Sequence, residues 1–184
     1  VARTFDVITP PEITLGGNGQ PIAHGDATPS TGDHTDFGSV ALTGSTLART
    51  FTVTNSGASV LHLTGAPQVE IGGPHSADFT VTADPLSPVD SDGGTTTFTI
   101  TFNPSAAGVR TAIVSLATND PDENPATFTI QGNGMPSSNA DLSTLTLSDG
   151  ALDLVFAVAT TSFTASVAIS ITVTPTWGET SATI

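Results

Sequence analysis

Apolar and polar side chains alternate with a period of two along most of this chain, and the alternation is nearly strict in Phe51-Thr52-Val53 and in Phe98-Thr99-Ile100-Thr101-Phe102. Such a pattern puts one face of each strand into a core and turns the other, mostly threonine, outward. The same reading predicts eight strands, at Ile13 to Leu15, Ser39 to Leu42, Arg49 to Asn55, Val60 to Leu63, Asp78 to Thr82, Thr96 to Phe102, Thr111 to Ala117 and Ala126 to Gln131. Short strands at this spacing, with turn signals between them, predict an all-β sandwich. The predicted core is Phe51, Val53, Leu61, Leu63, Phe79, Val81, Phe98, Ile100, Phe102, Val114, Leu116, Phe128 and Ile130. No stretch sustains a helical period of 3.6 residues.

The punctuation divides the chain. In residues 1–10, Phe5, Val7 and Ile8 alternate with or follow Thr4 and Asp6 before Pro10-Pro11 stops the pattern, which reads as an N-terminal strand or linker arm. Residues 11–135 form the first sandwich, 136–140 a linker, and 141–184 a second, shorter β-unit. Within the first unit, Asn55-Ser-Gly57, Ser91-Asp-Gly-Gly94 and Asn119 to Pro125 read as hairpin loops, the first two tolerant of positive φ. Gly17-Asn-Gly19 and Gly132-Asn-Gly134 read as strand-end turns that bracket the unit. The stretch from Gln20 to Phe37, rich in Pro, Gly, Asp and Thr, is the longest loop and the expected functional one. A β-unit of the size of 141–184 rarely buries enough apolar surface to stand without disulfides, so strands from elsewhere are expected to complete it.

Composition changes the picture mainly by exclusion. Of 184 residues, 33 are threonine, three are basic, 17 are acidic and none is lysine, cysteine or tyrosine, which leaves a formal charge of −14. Three scattered arginines, Arg3, Arg49 and Arg110, cannot neutralise a phosphate backbone, so nucleic acid is excluded as a partner. Without cysteine there is no disulfide framework or thiolate site, and without lysine no Schiff base, P-loop lysine or isopeptide cross-link. The longest apolar run, the six residues Leu154 to Ala159, falls far below the roughly 20 needed to cross a bilayer, so no membrane insertion is expected. The acidic, cysteine-free composition leans towards an extracellular or cell-surface setting.

Several separated motifs then point to a family. Thr31-Gly-Asp-His-Thr-Asp-Phe-Gly-Ser-Val40, Arg49 to Gly57, Ala77-Asp-Phe-Thr-Val81, Phe98 to Gly108 and Asn119-Asp-Pro-Asp-Glu-Asn-Pro125 resemble the choice-of-anchor D repeat, of the immunoglobulin-like group that includes ASPM, SPD-2 and hydin domains. Residues 141–174, with Leu142 to Gly150 and Thr160 to Val167, resemble the opening half of a bacterial cadherin-like β-sandwich repeat, and depart from it in lacking the second half. The resemblance implies an immunoglobulin-like antiparallel β-sandwich followed by an incomplete one. It also implies a non-catalytic structural module of a bacterial secreted, cell-surface or filament-forming protein, with no catalytic residues to carry over.

The candidate chemistry is sparse. His24, His34, His62 and His75 lack zinc-site spacing. A solvated loop histidine is the expectation for His34 beside Asp33 and Asp36, and His62 is expected on the outer face of its strand. No Gly-x-Ser-x-Gly elbow occurs, and hydrolysis is not expected. No cofactor is assigned. Calcium is the one ion the acidic turns could hold, through Asp90 and Asp92 or through Asp120, Asp122 and Glu123, but neither turn follows the EF-hand loop, and an ordinary acidic turn is the expected state of both. Candidates for assembly are the strand Thr4, Phe5, Asp6, Val7 and Ile8, and Trp177, the only tryptophan. A strand donated by one subunit to the next would place that arm and complete the second unit together, making the chain a homopolymer subunit with β-strand edges as its contact surfaces. An adhesion or carbohydrate-binding module is the further alternative, although the aromatic stacking platform that sugars need is missing.

Overall fold

The computed structural model describes residues 9–136. Nine strands form two sheets. They are β1 (Ile13–Gly17), β2 (Gln20–Ile22), β3 (Asp36–Ala41), β4 (Leu47–Asn55), β5 (Glu70–Gly72), β6 (Phe79–Ala83), β7 (Gly94–Phe102), β8 (Gly108–Leu116) and β9 (Ala126–Met135). One sheet runs in the order β2-β1-β4-β7-β6 and the other in the order β3-β9-β8-β5. All pairs are antiparallel except β3 with β9, which run parallel. This is the two-layer immunoglobulin-like sandwich that the alternation predicts.

The longest ladders come from the strands with the strictest alternation. β4 and β7 pair over nine residues, with Phe51 opposite Phe98 and Thr52 opposite Thr97. Because successive side chains point to opposite faces, this register sends every phenylalanine inward and every intervening threonine outward. Phe37, Phe51, Phe79, Phe98, Phe102 and Phe128 are all buried and form one connected aromatic cluster between the sheets. Phe79 and Phe102 stack at 4.8 Å between ring centroids, and Phe37 meets Phe79 edge-on at 5.5 Å, within the preferred range for aromatic pairs. Of the predicted core, all but Val81 are fully buried; Val81, near the rim on edge strand β6, is only partly so. Ile13, Leu15, Ile22, Phe37, Val40, Val69 and Val89 join the core as well.

Four sequence expectations are corrected. Val60 to Leu63 is not a strand of either sheet: Leu61 and Leu63 make single bridges to Val89 and Thr118 and sit in the core as anchors of a loop. The two Gly-Asn-Gly motifs do different things. Asn18 and Gly19, both at positive φ, close the tight β1–β2 hairpin, whereas Gly132-Asn-Gly134 lies inside β9. Gly132 is required there because a Cβ would fall on the ring of Phe102, and at Gly134 it would meet the backbone of Ala106. Gly57 is likewise set by close approach and not by positive φ, since Pro10, Pro11 and Glu12 pass directly over it. Finally, the Gln20 to Phe37 stretch is not one open loop. It holds β2, crosses from one sheet to the other at Gly25, whose N–H bonds Thr127 at 2.7 Å, and begins β3.

A buried ion pair ties the sheets at the other end. Asp78, in a single 3₁₀ turn (Ser76–Asp78) just before β6, is 2% exposed and bonds Arg110 of β8, while the Ser105 N–H donates to its second oxygen at 3.1 Å. Burial pushes the Asp78 carboxyl up, but the bonds from Ser105 and Arg110 outweigh it and hold it below the ordinary range. Removing one partner leaves the other without compensation. Asp78→Ala is therefore expected to cost about 2–4 kcal/mol in chemical denaturation. Gly132→Ala, which forces the Phe102 ring out of place, is expected to cost about 1–3 kcal/mol with little change in far-UV circular dichroism.

Candidate functional site

β1 begins with two backbone N–H groups that have no strand partner, and two buried side chains capture them. The Glu12 N–H donates to Asn55 Oδ1 at 3.2 Å, and the Ile13 N–H donates to Asp120 Oδ2 at 2.7 Å. Asn55, fully buried at the end of β4, also accepts from the Gly57 N–H and donates its amide to the carbonyls of Ser59, Val89 and Asp90. Asp120, 1% exposed in the β8–β9 loop, accepts in addition from the Asp122 N–H, and its own N–H donates to Thr118 Oγ1. A buried polar group must find such partners or cost the domain stability. Some of these partners lie two to four residues away and others come across long sequence separations, 107 residues in the case of Ile13 and Asp120.

Capturing β1 at this point concentrates negative charge. Glu12, Asp120, Asp122 and Glu123 bring one carboxylate oxygen each to within 4.8 Å of one another. Burial, followed by repulsion from Asp120 and Asp122, pushes the Glu12 carboxyl up; burial, followed by repulsion from Glu12, Asp120 and Asp122, does the same to Glu123. Asp120 goes the other way. Burial opposes ionisation, but the N–H donors of Ile13 and Asp122 hold its carboxyl below the ordinary range. Glu123 Oε2 is out of contact with solvent and has no hydrogen-bond partner. Chemically the group can share a proton or hold a hard divalent cation such as calcium, whose ligands are carboxylate oxygens. Beside it a cleft of about 330 Å³ opens between Ile13, Pro21, Ile22 and His24, with Glu12 and Glu123 on its wall.

The structure thus unites one of the two acidic turns and adds Glu12 to it. Asp120, Asp122 and Glu123 come together, whereas Asp90 and Asp92 do not join them. The Asp90 carbonyl accepts from Asn55, and Asp92 sits at positive φ in a turn with Ser91 Oγ bonded to its carboxylate. Glu12 carries no local signal in the sequence, because only the fold places it beside a loop at the far end of the domain. Thr4 to Ile8 and Trp177 lie outside the described residues.

The histidine loop offers no constellation. Asp33 accepts from the Thr35 N–H and hydroxyl, and Asp36 accepts from the Gly38 N–H and from Gln131 Nε2 at 2.8 Å, so both carboxylates serve the backbone and the β3–β9 seam. His34 is not a solvated loop residue. It is half-buried at positive φ, with Nδ1 out of water and unpartnered, and burial together with the Arg49 charge holds its imidazole below the ordinary range. His62 faces outward as expected.

Residues 30–133, more than half of the chain, match the HYDIN/CFA65/VesB-like, Ig-like domain family. The chain belongs to that family. The matched span runs from the loop before β3 to Asn133 in β9, so it contains the Asn55 hub, the Asp78–Arg110 pair and the Asp120 loop, while Glu12 lies outside it. Among solved structures, a Porphyromonas gingivalis protein of unknown function is similar at 17% identity over 72% of this chain and 70% of that one, with a TM-score of 0.44. The ASH/PapD-like domain 7 of human CEP192 is similar at 16% identity over 54% of this chain and 82% of that one, with a TM-score of 0.37. The VesB protease of Vibrio cholerae is similar at 18% identity over 54% of this chain but 29% of its own, with a TM-score of 0.39. No curated protein matches the sequence. Members of this Ig-like family are structural or interaction modules, and among the described residues no helix is long and apolar enough to cross a membrane.

The opposed shifts in the Ig-like domain's acidic group set a pH dependence. Glu12 and Glu123 are raised, so their contribution to stability is present at low pH and is lost as pH rises through their folded values; Asp78 and Asp120 are lowered, so theirs is lost as pH falls through values below 3.8. The melting temperature is expected to rise on acidification from pH 7 towards 4.5, the ordinary glutamate value, and to fall again below 3.8. Glu123→Gln is expected to raise the melting temperature at pH 7 and to flatten the rising limb; an unchanged profile in that variant would show that the four carboxylates do not repel one another.

Proposed function

We propose that this chain is a non-catalytic structural module of a bacterial secreted, cell-surface or filament-forming protein, of the choice-of-anchor D type. The observation that carries the reading is where its acidic groups go. Asp33, Asp36, Asp78 and Asp120 each accept backbone N–H or cross-strand bonds that hold the fold. A charge of −14 keeps such a module soluble.

A second reading makes the chain a fibre subunit assembled by strand donation. The start of the described chain favours it: the Thr9 carbonyl accepts from Ser59 Oγ at 2.7 Å and the Glu12 carbonyl from the Ser56 N–H at 2.9 Å, so the carbonyls of the segment before β1 are held along the 56–59 loop. An arm pairing through backbone groups in this way is the currency of strand exchange. Negative-stain microscopy with light scattering on the whole chain, against a variant lacking residues 1–10, separates the two. Filaments that vanish on deletion support donation, and an unchanged oligomeric state in the variant overturns it in favour of a module in a longer chain.

A further inference from the structure

None of the 17 acidic side chains falls in any strand of the five-stranded sheet, although the chain carries a charge of −14. The one charged residue in those strands, Arg49, lies on the inward side of β4. On the outward side every position of β7 from Thr95 to Thr101 is threonine, and threonines of β1, β4 and β6 continue the array to both sides. The rest of the outer face is Gly16, Pro21, Ala48 and Ala83. The other sheet differs, with Asp36 in β3 and Glu70 in β5, while Arg110 of β8 lies on its inward side with Asp78.

From this segregation we infer that the threonine face of the five-stranded sheet is a docking surface for a second copy of this chain. The goal of two such acidic molecules approaching each other is the least repulsive orientation, and like charges set against one another cost several kcal/mol. Among the described residues, this face is a broad surface on which two copies can meet without opposing carboxylates. Its size fits. Five strands about 4.8 Å apart, with central strands of about 30 Å, present on the order of 500 Å², so a face-to-face pair buries about 1,000 Å², the threshold for a specific interface. Its chemistry fits too. Threonine is stiff at χ1, so little side-chain entropy is lost on docking. Thr50 and Thr99, and Thr82 and Thr101, already bond each other through their hydroxyls at 3.0 Å, which satisfies part of the array before docking. Two faces of equal twist stack in the aligned manner of sandwich sheets, and the contact is isologous, with the same patch on both copies.

The inference goes beyond the proposed function and is independent of the N-terminal arm, so deletion of residues 1–10 is expected to leave it intact. The test is sedimentation equilibrium of the whole chain over rising concentration. Thr52→Glu with Thr97→Glu places two carboxylates side by side at the centre of the face, and is expected to weaken self-association about tenfold or more. Thr52→Lys with Thr97→Lys is expected to do the same alone. Mixing the Glu and Lys variants is expected to restore a heterodimer, a rescue that a folding defect would not produce. Ile113→Glu, on the outer face of the other sheet, is expected to leave association unchanged. A native chain that stays monomeric at its solubility limit, Glu and Lys variants that self-associate as the native chain does, or binding of the native face to an insoluble neutral polysaccharide in place of a second copy would each overturn the inference.

Discussion

Six phenylalanines between two sheets are the constraint on which this domain depends. The chain has no tyrosine, and among the described residues phenylalanine is the only large aromatic residue. Six of the nine meet there. Aromatic rings bury large areas and stack with defined geometry, so the positions of these six fix much else. The nine-residue register of β4 on β7 sets Phe51 against Phe98, β6 must bring Phe79 over Phe102, and β9 must have no side chain at position 132 where the Phe102 ring lies. Threonine between the phenylalanines is the necessary complement, since a residue that alternates with a core aromatic faces outward.

Elements that carry their own periodicity were legible in the sequence, and those made by their neighbours were not. β4, β7 and β8 were readable because an alternating pattern over nine residues has one good register. β2 and β5 are three residues long and exist because β1 and β8 offer them hydrogen bonds; nothing in Gln-Pro-Ile or Glu-Ile-Gly announces a strand. Val60 to Leu63 shows the converse, an alternating run whose apolar residues reach the core while its backbone bridges at two single points. Gly132-Asn-Gly134 has the composition of a turn and lies within a strand, because the need for a missing Cβ arises from a ring on another strand. The same distinction holds at the acidic group. Asp120, Asp122 and Glu123 are neighbours in sequence and could be read together, but Glu12 joins them only through the capture of β1.

The domain divides its polar work by sheet and by end. Asp78 and Asp120, whose carboxylates accept backbone N–H groups, are held below the ordinary range and stabilise the fold at neutral pH. Glu12 and Glu123, brought close by the same capture, are raised and oppose it. The two N–H groups at the start of β1 would cost more if left bare in the interior than the repulsion costs at its edge, where Asp122 is exposed to solvent that screens it. Keeping acids out of the five-stranded sheet has a partly internal explanation, since threonine favours strands and aspartate and glutamate are depleted from them. The four-stranded sheet nevertheless carries Asp36 and Glu70 at the starts of its strands. A face kept neutral on a chain of charge −14 also bears on what lies beyond it, and the proposed self-association rests on that neutrality.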